Sequence, residues 1–116
     1  MNILFLYDKN NKKFFERVDI LTDYIKKNSS IYEIKLLSRV TQKTNCDIYL
    51  VISDSIDEIN KYFEKIKDKK KILLLTSNVE ATHILNCINI TKNITYLGNK
   101  CEIILDRISK LYEETK

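Results

Sequence analysis

The 116-residue sequence has no proline, one glycine (Gly98), one histidine (His83) and three cysteines. Each scarcity removes a class of chemistry. One glycine cannot build GxxxxGK[ST] or GxGxxG, so neither a P-loop nor a dinucleotide fingerprint is present. With a single histidine and no GxSxG, a serine-hydrolase triad has no support. Cys46, Cys87 and Cys101 are widely spaced, odd in number and without a CxxC pair, which argues against a disulfide framework or a structural zinc site. No stretch of eighteen apolar residues occurs, so no membrane span is expected. The opening "MNILFLYDKN" has only seven residues before its first charge and no basic leader. It does not read as a secretory signal, and a cytoplasmic location is expected. The NxS/T matches at Asn28, Asn89 and Asn93 would matter only in a secreted chain.

What is present is a hydrophobic fraction of 44%, enough for a core, in a length that favours one domain spanning residues 1–116. The net charge of +4, from 20 basic and 16 acidic residues, is a mild excess. Nucleic-acid binding usually needs a concentrated basic patch. The only dense run, "KDKKK" at 67–71, reads as a solvated helix end whose lysines complement the negative C-terminus. Nucleic acid would therefore be reached only through an output domain outside this sequence.

No internal repeat or linker interrupts the chain. Apolar runs at 2–7, 47–53 and 71–77 read as strands covered on both faces. The segment 32–37 alternates and reads as an edge strand, and 93–98 as a last strand. Helical spacing places Phe14, Val18, Leu21 and Ile25 on one stripe of 12–28, with Phe15 beside them. It places Ile56, Ile59, Phe63 and Ile66 on a stripe of 56–68, and Ile104, Ile108 and Leu111 on a stripe of 100–114. A shorter helix is expected over 80–89. Strands alternating with helices predict an α/β, flavodoxin-like three-layer sandwich with a five-stranded parallel sheet of order 2-1-3-4-5 and about four helices. The stretch 38–46 is shorter than a normal crossover and predicts a short, irregular or 3₁₀ connection.

In this architecture ligands bind beyond the carboxyl ends of the strands, near the switch in strand order. That edge collects Tyr7, Asp8 and Lys9 after the first strand, and Ser53 and Asp54 after the third. It also collects Thr76 and Ser77 after the fourth, and Asn99 and Lys100 after the fifth. Asp8 and Asp54 could share a cation, while Thr76 and Lys100 could hold phosphoryl oxygens. The same residues could equally cap the helices that follow, Asp54 or Ser55 for one and Ser77 or Asn78 for the next. The first loop lacks a Ser/Thr/Gly run for a flavin phosphate, and no cysteine ends the first strand as a thiol-phosphatase site would require. A second pattern lies beside this edge. Lys9, Lys12 and Lys13 stand at the start of the first helix, where positive charge is unfavourable. An anion held at that N-terminus would turn them into ligands, giving a small-molecule or nucleotide-binding domain as the alternative reading.

The runs "ILFLYD", "CDIYLVISD", "KILLLTS" and "ITYLGNKCEIILDRISKLYEE" resemble the receiver domain of two-component response regulators over most of the chain. The resemblance implies an acidic pair after the first strand, a phosphorylated Asp ending the third, a hydroxyl ending the fourth and a Lys ending the fifth. Asp8 matches one of the acidic pair, Asp54 the acceptor, Thr76 the hydroxyl and Lys100 the lysine. Mg²⁺ would be the cofactor of a phosphorylation-competent form, held by Asp8 and Asp54. The chain departs from this pattern in four places. Tyr7 replaces one acid, Asp54 falls seven residues after Asp47 so that Ser53 competes for the acceptor position, no proline follows Lys100, and the 38–46 segment is short. The pattern is that of atypical receivers, in which one acid is followed by Lys-Asn and phosphorylation is lost. The implied function is a regulatory module acting by protein contact rather than catalysis. Its partner, or a second copy of itself, would dock through the 80–89 helix, the fifth strand and the last helix. Tyr96 matches the family's aromatic switch position, although by its own pattern it reads as core. Glu80, His83 and Cys87 share one helix face but offer no fourth metal ligand.

Overall fold

The computed structural model describes residues 2–37, 46–78 and 93–115. Strand β1 (Asn2–Leu6) is followed by helix α1 (Lys12–Asn28), β2 (Glu33–Leu37), β3 (Ile48–Ile52) and helix α2 (Ile56–Lys65). A 3₁₀ turn (Lys69–Lys71), β4 (Ile72–Thr76), β5 (Ile94–Tyr96) and helix α3 (Cys101–Thr115) complete the described chain. The five strands are all parallel, in the order β2-β1-β3-β4-β5. The predicted sheet order is therefore found, in an arrangement consistent with a flavodoxin-like fold.

Successive residues of a strand point to opposite faces, and here both faces are apolar. Ile3 and Phe5 of β1, Ile48, Leu50 and Ile52 of β3, and Leu73 and Leu75 of β4 pack with Phe14, Val18, Leu21 and Ile25 of α1 and Ile104, Ile108 and Leu111 of α3. Leu4, Leu6, Tyr49, Val51, Ile72 and Leu74 point the other way, into a second core with Ile59, Phe63 and Ile66. The sheet is thus the middle of three layers, with α1 and α3 on one side and α2 on the other. At the amino edge, Asn2 and Asp47 clamp β1 to β3: Asn2 N donates to Asp47 Oδ2 at 2.8 Å, and Asp47 N to Asn2 O at 3.0 Å.

The helix starts follow local chemistry. Asn11 caps α1 by accepting from Phe14 N at 3.2 Å, and Ser55 caps α2 by accepting from Glu58 N at 3.4 Å. Asp57 and Glu58 in the first turn of α2 suit the positive end of that helix, whereas α1 has no acid in its first turn.

Several boundaries differ from expectation. Helix α2 ends at Lys65 rather than at 68. Its C-cap Ile66 is extended and 2% exposed, so burying this side chain in the second core takes the backbone out of the helix. Asp68 then accepts from Lys70 N at 3.1 Å and starts the 3₁₀ turn, which takes Lys71 out of β4. Strand β5 covers three residues, not six. Tyr96 is not core. The pleat that buries Thr95 turns Tyr96 outward, 58% exposed, while Phe14 is buried and its neighbour Phe15 faces solvent. Three α-helices lie among the described residues. The fourth, expected over 80–89, and the connection over 38–45 lie outside them.

Candidate functional site

The carboxyl edge of β3 and β4 is organised by Asp54. Strand β3 ends at Ile52. Ser53 is 1% exposed, and its Oγ accepts from Ser55 N at 3.1 Å, which turns the chain toward α2 and leaves Asp54 pointing across the edge. Thr76 Oγ1 donates to Asp54 Oδ1 at 3.1 Å, and Ser77 N donates to the same oxygen at 2.7 Å. Ser77 Oγ donates to Oδ2 at 2.7 Å, and Lys13 Nζ stands 3.6 Å from Oδ2. Lys13 also donates to Ser77 Oγ at 3.1 Å. Asn78 closes the ring: its Nδ2 donates to Asp54 O at 2.8 Å and its N to Thr76 Oγ1 at 3.1 Å. Partial burial alone would raise the Asp54 pKa. The hydrogen bonds from the Ser77 side chain and backbone and from Thr76, with the Lys13 charge, outweigh it and hold the carboxyl below its ordinary range.

The other predicted residues do not converge on this point. Asp8 is exposed and accepts from Asn10 N at 2.9 Å, so it forms the turn that leads into α1. Tyr7 is 2% exposed and belongs to the core, and burial first and Asp19 second raise its pKa. Lys100 is exposed. Its carbonyl accepts from Ile103 N and Ile104 N and so begins α3, while its ammonium has no partner among the described residues. Lys9 is exposed and likewise unpartnered there, and Lys12 lies 4.0 Å from Glu16 in a solvated i,i+4 pair. Of the three lysines at the start of α1, only Lys13 reaches the edge, and it meets a carboxylate of the protein itself. Among the described residues no group of three His, Cys, Asp or Glu side chains is placed to hold a metal ion. Glu80, His83 and Cys87 lie outside them.

Two features of the edge were not anticipated. The alternative reading makes Lys13 a ligand for an outside anion, yet it serves Asp54; its place in the first turn of α1, at the carboxyl edge of the sheet, is the available signal. Arg17, one turn further along, joins α1 to the loop after β5. Its Nε donates to Leu97 O at 2.8 Å, its Nη2 to Asn99 O, and its Nη1 to Cys101 Sγ at 3.9 Å. Asn99 Nδ2 in turn donates to Thr95 Oγ1 at 2.7 Å. Nothing in the spacing of Arg17 separates it from an ordinary helix-surface arginine.

The sequence matches no protein-family model and no curated protein. No helix among the described residues is long and apolar enough to cross a membrane.

Proposed function

We propose that this chain is a regulatory module of the degenerate receiver type, with a flavodoxin-like fold, whose output is protein contact rather than phosphoryl transfer. The observation that carries the reading is the engagement of both Asp54 oxygens by the protein's own groups. Thr76 Oγ1 and Ser77 N donate to one oxygen and Ser77 Oγ to the other, filling three of a carboxylate's about four acceptor sites, and the Lys13 ammonium stands 3.6 Å away as an ion-pair partner. The residues also do not fit Mg²⁺. The buried Tyr7 stands where a receiver has the first acid of its pair, leaving Asp8 as the one carboxylate after β1, and the cation beside Asp54 is an ammonium. The exposed Tyr96 and Ile103, 58% and 42% accessible on β5 and α3, support a contact surface on the side where receivers meet their partners.

Beryllofluoride with Mg²⁺ mimics a phosphorylated aspartate. The expected result is an amide NMR spectrum that does not change at Asp54, Thr76 or Lys100 on its addition. Saturable shifts centred on those three residues would overturn the reading in favour of a competent phosphorylation site.

A further inference from the structure

A groove of roughly 200 Å³ opens between the first three turns of α1 and the ends of β4 and β5. Ile20, Leu97 and Tyr96 form its apolar wall, and Lys13, Arg17 and Glu16 its charged side. We propose that this groove binds a small monocyclic anion, a single ring carrying a carboxylate or phosphate. The groove borders the Asp54 edge through Lys13 and Ser77 and shares Tyr96 with the contact surface proposed above, but anion binding here does not require that reading to hold.

Size sets the first limit. Drug-sized ligands occupy pockets of about 300–1,000 Å³, so this groove suits one ring rather than a dinucleotide or a cofactor. The walls set the second. Gly98 leaves room for the Tyr96 ring, whose Cε1 would lie 2.6 Å from any Cβ at that position. That ring is 58% exposed and Ile20 is 53% exposed, so a flat apolar body slotted between them would cover surface that is now wet. Charge sets the third. Lys13 donates one of its three N–H groups to Ser77 Oγ at 3.1 Å, and its charge stands 3.6 Å from Asp54 Oδ2. The same side chain lines the groove and is 62% exposed. Arg17 is held by carbonyl oxygens, and among the described residues no carboxylate pairs with it. Glu16 is the one acid of the lining and has Lys12 beside it at 4.0 Å. The lining thus carries a net positive charge next to an apolar slot, which complements an aryl carboxylate or aryl phosphate and not a neutral or cationic ring.

The test is an amide NMR titration of the whole chain with phenyl phosphate and with benzoate, set against benzyl alcohol and inorganic phosphate. The expected result is saturable shifts at Lys13, Arg17, Ser77, Tyr96 and Gly98 with both aryl anions. Benzyl alcohol, which has the ring without the charge, and inorganic phosphate, which has the charge without the ring, should bind at least about tenfold more weakly. Ile20→Glu places a second acid on the exposed wall and should abolish aryl-anion binding; Tyr96→Ala should erase the preference for phenyl phosphate over inorganic phosphate. Both side chains are exposed, so both variants should keep the wild-type spectrum elsewhere. The inference is overturned if the aryl anions leave these amides unmoved at millimolar concentration. It is equally overturned if inorganic phosphate matches phenyl phosphate, or if Ile20→Glu binds as well as the wild type.

Discussion

Lys13 Nζ lies 3.6 Å from Asp54 Oδ2 and 3.1 Å from the Ser77 hydroxyl that donates to the same oxygen. A residue from the first turn of α1 is thereby tied to the ends of β3 and β4. The two partners are unequal. The Lys13 side chain is 62% exposed and that of Asp54 34%, so the ion pair is largely screened while the hydrogen bonds to Asp54 are not.

That inequality predicts an order of mutational effects. Asp54→Ala leaves the Thr76 hydroxyl and Ser77 N–H without their acceptor and should cost about 1–3 kcal/mol in urea unfolding. Lys13→Met should cost less than about 1 kcal/mol. Equal losses from the two variants would mean that the ion pair, not the hydrogen-bond ring, holds the edge together.

The depressed Asp54 pKa fixes the sign of a pH effect. A carboxyl that ionises more readily folded than unfolded contributes stability that is complete above the ordinary aspartate value of 3.8. That contribution is lost as pH falls through the lower folded value. The stability gap between the wild type and Asp54→Asn should therefore be flat down to about pH 4 and narrow below it. A gap that widens on acidification would reverse the assignment.

Arg17 should resist conservative replacement. Its guanidinium serves Leu97 O and Asn99 O together, a fork that a lysine ammonium cannot reproduce. Arg17→Ala should cost about 1–3 kcal/mol, and Arg17→Lys should recover less than half of that loss. Faster amide hydrogen exchange at Leu97 and Asn99 in both variants would localise the effect to the loop after β5.

Gly98 and Tyr96 should be coupled. A Cβ at 98 would meet Tyr96 Cε1 at 2.6 Å, and the exposed ring can swing aside only by giving up its present seat. Gly98→Ala should therefore cost stability in the wild type and less in a Tyr96→Ala background, with a coupling of at least about 0.5 kcal/mol in a double-mutant cycle. Additive effects would show that Gly98 is required for another reason.

The centre of the sheet is legible because β1, β3 and β4 are covered on both faces. Continuous runs such as Ile48–Ile52 and Ile72–Thr76 have no polar face to confuse the reading, and the buried stripe of α1 falls where its spacing places it. Boundaries were less legible where one side chain decided them, as Ile66 does at the end of α2. At the candidate site, sequence alone placed Asp54, Ser53, Thr76 and Ser77 on one edge, because strand ends can be read from the apolar runs. It could not show that Asp8 turns back onto Asn10 or that Lys13 turns inward, because both depend on the direction of a side chain at a helix start. Tyr96 was misread for a related reason: on a strand of three residues, a shift of one residue in the pleat exchanges core for surface.

The order of the strands also bears on how the chain is assembled during synthesis. As β2 emerges it can pair with β1, β3 then adds to the other side of β1, β4 to β3, and β5 to β4. Every strand finds its neighbour already made, and none must be inserted between two strands that have already met. The sheet can therefore grow outward from β1 at the pace of translation, without an open slot waiting for a late segment.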